Sequence, residues 1–209
     1  MTEVVPRWTA HELTFESEQA RDDPFWDVDL AVELTAPSGA VTTIDAFWDG
    51  GAIWRARVRP DEIGAWRWRS VASPAGDSGL EGRSGSFACV PYDGPNPVYR
   101  HGPVRVANDG HSFSYADGTP YKQIGTTCYA WTHQGDALEE QTLATLREAP
   151  FNNMRMCVFP KSYDYNHNEP VYYAFERNAD GSFDFTRFNP AFFQHLERRI
   201  GDLRDLGIE

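Results

Sequence analysis

The residues most able to do chemistry sit in Phe151-Asn-Asn-Met-Arg-Met-Cys-Val-Phe-Pro160. The run is apolar enough for a buried strand, and Pro160 stops it. On a strand, Asn153, Arg155, Cys157 and Phe159 share one face, and Met154, Met156 and Val158 share the other. A guanidinium in such a strand needs carboxylates or ligand oxygens as partners. Arg155 is therefore either half of a structural salt bridge or a group that faces a site. Where a parallel strand packs one face on helices and turns the other to an interior, Asn153 and Arg155 lie toward the site. Around them are flat aromatic rings, Tyr129, Trp131, Tyr163 and Tyr165. Such rings stack on apolar ring faces such as those of sugars, or simply pack their own loops. His133 and His167 are potential hydroxyl partners. Asp164, Glu169, Glu176 and Asp184 are carboxylates in or after the same loop, and read more readily as solvated acids.

Other chemistries find little support. No His, Cys, Asp or Glu spacing matches a metal site, and no cofactor is expected. There is no glycine-rich phosphate loop and no nucleophile elbow. Cys89, Cys128 and Cys157 are far apart, odd in number and set in apolar strand-like contexts. They read as buried free thiols, and a catalytic role for Cys157 is disfavoured.

The elements that must position these groups begin in the first half. Trp26 to Thr35 alternates, with Val28, Leu30, Val32 and Leu34 on one face and Asp27, Asp29 and Glu33 on the other. Thr42 to Trp48, Ala52 to Arg59, Ala65 to Val71 and Ser86 to Val90 follow as short strands. Between them lie turns at Pro37-Ser-Gly39, Asp49-Gly50-Gly51 and Pro60 to Gly64, and a loop from Pro74 to Gly85. This pattern predicts a β-sandwich. Trp54, Trp66 and Trp68 fall on the inward phase and read as core rather than as a sugar-stacking platform. Arg55, Arg57 and Arg59 form a solvated row.

Pro91-Tyr-Asp-Gly-Pro-Asn-Pro97 is the best domain boundary, giving residues 1–95 and 96–209. Beyond it, short strands precede a buried strand over Tyr121 to Cys128. A helix from Asp136 to Ala149 follows, with Leu138, Leu143, Leu146 and Ala149 on its apolar side. Asn189 caps a last helix with Pro190 at its first position, an apolar stripe of Phe193, Leu196, Ile200 and Leu203, and Gly207 as its stop. Strand, helix, strand, loop, helix implies a parallel sheet.

The chain has 209 residues, a net charge of −12, and 41% apolar and 14% aromatic residues, enough for packed cores. The charge argues against nucleic acid and anionic membranes as partners. No apolar run reaches the ~18 residues of a membrane span, and no leader is visible at the N-terminus, so the expected location is cytoplasmic. Oligomeric state is not legible.

Two resemblances add to this reading. Trp54-Arg-Ala-Arg-Val-Arg-Pro-Asp-Glu-Ile-Gly-Ala-Trp-Arg-Trp68 with Gly85-Ser-Phe87 resembles the immunoglobulin-like domain DUF5060, which precedes glycoside hydrolase barrels. Asp117-Gly-Thr-Pro-Tyr121, Gly125-Thr-Thr127, Phe151 to Arg155, Phe183-Asp-Phe185, Asn189-Pro190 and Leu206-Gly-Ile208 resemble the opening of DUF4038 and apiosidase-like hydrolases. Asn153 and Arg155 match the Asn-x-Arg of the second strand of many such barrels, where the Arg supports the catalytic carboxylates. The resemblance implies a multi-domain protein: a sandwich over 1–95, then the first βα units of a (β/α)₈ TIM barrel over 96–209. It implies hydrolysis of O-glycosidic bonds in a plant or microbial oligosaccharide. A barrel of about 250 residues does not fit into 96–209; the resemblance places the acid/base and nucleophile near the ends of the fourth and seventh strands, so none of the catalytic carboxylates is expected within this chain. Arg155 and Asn153 would be supporting residues, and Tyr129, Trp131, His133, Tyr163, Tyr165 and His167 substrate-binding ones. The alternative is a non-catalytic carbohydrate- or protein-binding sandwich with an α/β appendage.

Overall fold

A computed structural model describes residues 2–160, 164 and 167–209. The chain divides into two units, Met1–Pro95 and Asn96–Glu209.

Unit 1 holds β1 (Glu3–Pro6), β2 (His11–Glu16), the one-turn helix α1 (Pro24–Asp27), β3 (Asp29–Thr35) and β4 (Val41–Asp45). It continues with β5 (Phe47–Trp48), β6 (Ile53–Val58), β7 (Gly64–Ser73) and β8 (Ser84–Val90). One sheet has the order β1-β8-β7-β3-β4, the other β2-β6-β5. Only the β1–β8 pair in the large sheet is parallel. Burial alternates along β2 and β3 as a one-sided strand requires. Leu13, Phe15, Trp54, Ala56 and Val58 of the small sheet share one core with Leu30, Val32, Leu34, Trp66 and Phe87 of the large one. The unit is thus a two-layer sandwich. Trp54 and Trp66 are buried, and Trp68 packs half-buried against the core. Trp66 stacks on its cross-strand partner Phe87 at 5.9 Å and 7°. Gly85 faces Trp68 across the ladder, and a Cβ there would come within 2.6 Å of the indole. β1 and β2 lack a turn signal between them and are additions to the strands expected from the sequence. Trp8, at φ 63°, makes that turn, with the Arg7 guanidinium 3.9 Å from its ring centroid.

The loop before β8 is latched by one buried side chain. Asp77 accepts from Ser17 Oγ (2.6 Å), Glu18 N (3.1 Å), Gly79 N (3.0 Å) and Arg21 (3.3 Å). Burial alone would raise its pKa; these donors outweigh that and hold it below the usual carboxylate value.

Unit 2 opens with α2 (Pro97–His101) and an antiparallel sheet of β9 (Val104–Val106), β10 (Phe113–Tyr115) and β11 (Pro120–Tyr121). β12 (Gly125–Thr127), a 3-10 turn at Trp131–His133, α3 (Asp136–Glu148) and β13 (Asn153–Arg155) come next. β14 (Phe175–Arg177) and β15 (Phe183–Phe188) form a hairpin, and α4 (Pro190–Asp205) follows. β12 and β13 pair in parallel, with Gly125 opposite Asn153 and Thr127 opposite Arg155. α3 is therefore the crossover of a βαβ unit. The ladder runs on through Cys128 N to Arg155 O and Cys157 N to Tyr129 O, each 2.9 Å. On the other edge of β13, Glu209 N donates to Asn152 O and Met154 N to Glu209 O, each 3.0 Å. That alternation is the parallel ladder pattern. Among the described residues the parallel sheet extends no further, and no barrel is formed.

Three expectations need correction. The strand over Tyr121 to Cys128 is interrupted, because Asn152 takes the place of a ladder partner. Its Oδ1 accepts from Ile124 N and its Nδ2 donates to Lys122 O, both at 2.8 Å. On α3, Leu138 is 46% exposed and Glu139 is fully buried. On α4, Ile200 is 46% exposed, and the buried stripe runs through Phe192, His195, Leu196, Arg199 and Leu203. The ends of α4 are as expected. Asn189 accepts from Ala191 N, and Gly207 closes a Schellman motif, with Ile208 N bonded to Leu203 O and Gly207 N to Arg204 O. All three cysteines are free, but only Cys89 is buried, and Cys128 and Cys157 are half-buried.

Candidate functional site

The β12–β13 pair has two unlike faces. Met154 and Met156 pack into the core formed by Trp131, Leu143, Leu146, Leu203 and Ile208. The opposite face is open and polar. Gln123 Nε2 donates to Asn153 Oδ1 at 3.0 Å, and Asn153 Nδ2 reaches Glu209 O at 3.4 Å. Gly125 leaves room for this amide: a Cβ there would sit 3.3 Å from Asn153 Oδ1. Arg155 is exposed, with its guanidinium 5.6 Å from the Tyr129 ring centroid. Among the described residues it forms no ion pair. The open face thus carries an amide pair fixed in place, an exposed guanidinium with no ion-pair partner among the described residues, and an aromatic ring 39% exposed.

The remaining residues singled out by sequence are spread more widely. Trp131 is 3% exposed and its Nε1 donates to Glu139 O, so it packs under α3. His133 is 4% exposed; its Nε2 lies 3.1 Å from Val158 O, and its ring stacks near Phe192. A carbonyl only accepts, so Nε2 carries the proton, and burial lowers the pKa of this histidine. Neither residue presents a face to a ligand. Tyr163 and Tyr165 lie outside the described residues. His167 and Asp164 are exposed. Glu169 accepts from the Tyr173 hydroxyl. Glu176 and Asp184 both pair with Arg187 in the β14–β15 hairpin, at 3.3 and 2.9 Å.

A second cluster was not anticipated. Glu139 of α3 accepts from Arg199 Nε at 2.6 Å and lies 3.2 Å from His195 Nε2. Arg199 also reaches Glu140 (2.5 Å), Asp202 (3.0 Å) and Asp136 (3.2 Å). Burial alone would lower the pKa of Arg199, but these carboxylates raise it further above its ordinary value. Asp136, Glu139 and His195 could bring three ligand atoms within 4.8 Å of one another, and they border a cavity of about 100 Å³. The donor set does not suit a cation. Arg198 donates to His195 Nδ1 at 2.8 Å, which leaves the proton on Nε2, the atom that would have to bind a metal. Arg199 already donates to both carboxylates. The cluster is an ion network between two helices. Its sequence signals were the i, i+4 spacing of His195 and Arg199 within an apolar stripe, and Glu139 four residues before Leu143.

Comparison with known proteins bears on the whole chain. Residues 4–73 match the family described as Domain of unknown function (DUF5060). A crystal structure described as a "putative glycoside hydrolase" from Bacteroides vulgatus is 39% identical, with a TM-score of 0.87 over 100% of this chain and 40% of its own. The chain therefore spans two fifths of the length of that relative. A glycoside hydrolase family 5 structure from the same organism aligns at 16% identity over 53% of this chain and 24% of its own, TM-score 0.39. Another, named only "Glycoside hydrolase", aligns at 16% identity over 52% and 24%, TM-score 0.38. No curated protein matches the chain. The chain is thus related to a protein named as a glycoside hydrolase, with a DUF5060 segment in its first unit.

Proposed function

We infer that this chain is the N-terminal part of a glycoside hydrolase acting on O-glycosidic bonds. Unit 1 is its immunoglobulin-like domain, and unit 2 supplies the first βα units of a (β/α)₈ barrel. The observation that carries this reading is the division of β13 into an apolar back and an open face with Asn153 and Arg155, in a chain 39% identical to the Bacteroides vulgatus protein. In a barrel that face lines the interior beneath the catalytic groups. Glycoside hydrolysis needs two carboxylates across the scissile bond. The acids of unit 2 at the strand ends are exposed or paired locally, so the two carboxylates belong to the part of the relative that this chain does not span. Arg155 then holds one of them through a forked pair of hydrogen bonds, and Tyr129 flanks the substrate.

The test uses the protein encoded by the complete reading frame, assayed on aryl glycosides. Arg155→Lys keeps the charge and loses the fork, and should lower kcat/KM at least about tenfold, about 1.4 kcal/mol of transition-state stabilisation, with little change in Tm. Unchanged turnover with a large drop in Tm would make Arg155 a structural ion and remove the reading's main support.

A further inference from the structure

Unit 1 carries two open clefts, of about 330 and 360 Å³, that share a wall. Both are lined by Trp48 and Trp54, cross-strand partners on β5 and β6. The Trp48 Nε1 donates to Gly51 O at 2.9 Å. Trp48 is half-buried, packs against the core as Trp68 does, and lines both clefts. Trp54 is 3% exposed, and its Nε1 has no acceptor among the described residues. Arg21, in the smaller cleft, likewise has a buried Nε without a partner. A buried N–H without an acceptor costs about 1–3 kcal/mol, and the two belong to residues that line the same cleft.

The lining selects the class of ligand. The larger cleft has Phe25 and Val71 as apolar walls and the exposed carboxylates of Asp29 and Asp45 as acceptors. The smaller adds Ser17 and Gln19. An anion would meet Asp29 and Asp45, and the charge of Arg21 is already matched by Asp77 at 3.3 Å. A lipid would leave the polar groups unmet. A saccharide presents C–H faces to an indole and hydroxyls that both donate and accept. We propose that the two clefts at Trp48 form a saccharide-binding site on unit 1, with the Trp48 ring as its stacking wall. The site stands apart from the hydrolytic reading of unit 2 and does not depend on it.

The experiment uses the 209-residue chain and follows indole N–H signals by NMR. Methyl glycosides of glucose, galactose, xylose and arabinose, together with cellobiose and xylobiose, are added to about 20 mM, well above the ~1 mM Kd of a weak site. The Trp48 and Trp54 signals, assigned by substitution, should shift saturably with at least one sugar. Trp48→Ala should weaken binding about tenfold or more, and Trp48→Phe, which keeps a stacking face, should restore most of it. Trp54→Phe removes the orphaned donor, keeps a ring in the core, and should also weaken binding. Absence of any saturable shift overturns the proposal. So does binding that survives both Trp48→Ala and Trp54→Phe. Binding lost only in Arg155→Ala would place the sugar on unit 2, overturning this site while leaving the hydrolase reading intact.

Discussion

Arg199 illustrates how much one buried charge depends on its neighbours. Its side chain is 4% exposed and serves four carboxylates, of which only Glu139 is itself fully buried. Arg199→Met strands Glu139 in the core with His195 as its remaining partner, and should cost about 3–5 kcal/mol in urea unfolding. Glu139→Gln leaves Arg199 with Glu140, Asp202 and Asp136, so its cost should be nearer 1–3 kcal/mol. The reverse order would mean that the other three carboxylates do not hold the guanidinium. In the sequence, Glu139 passes for the polar flank of an amphipathic helix, with Leu138 on the inner side. One residue of phase is about 100° on a helix, and side-chain pattern alone did not fix it once an ion pair replaced a hydrophobic contact.

At the scale of elements, the stretches that were legible are those whose pattern is set by local physics. Alternation in β3, β6 and β7 and the caps of α4 depend on neighbours in sequence. The break between β11 and β12 does not, since it is made by Asn152, about thirty residues away. The latch at Asp77 is of the same kind. It reaches back some sixty residues to Ser17 and Glu18, and nothing in the Gly/Ser-rich loop marks it. Asp77→Asn removes a buried charge that answers four donors, and should destabilise unit 1 by about 2–4 kcal/mol. Its folded pKa is below the ordinary 3.8, so its stabilisation is present above that value and is lost as pH falls through the folded one. The variant should therefore show a flatter acid limb than the parent in fluorescence-detected unfolding. An unchanged limb would assign acid sensitivity to other carboxylates.

The two units differ in how acid should reach them, which gives a prediction for the whole molecule. In unit 2, His133 is buried with its proton on Nε2 and an unpartnered Nδ1. A second proton would have to enter at that orphaned atom, within reach of the opposing influences of Glu139 and His195. Burial holds its pKa below the ordinary 6.5, so the unfolded chain takes up the proton first. Stability is then full above about pH 6.5 and falls as pH drops toward the folded value. Unit 1 has Asp77 as its buried acid, whose effect begins only below about pH 4. Calorimetry at pH 7.5 and pH 5 should therefore show the unit 2 transition moving to lower temperature, with His133→Gln as the control, since unit 1 has a buried histidine of its own in His11. His133→Gln keeps an N–H for Val158 O and removes the titration. It should be less stable at pH 7.5 but insensitive to the change to pH 5. If the shift persists in His133→Gln, another group carries the titration.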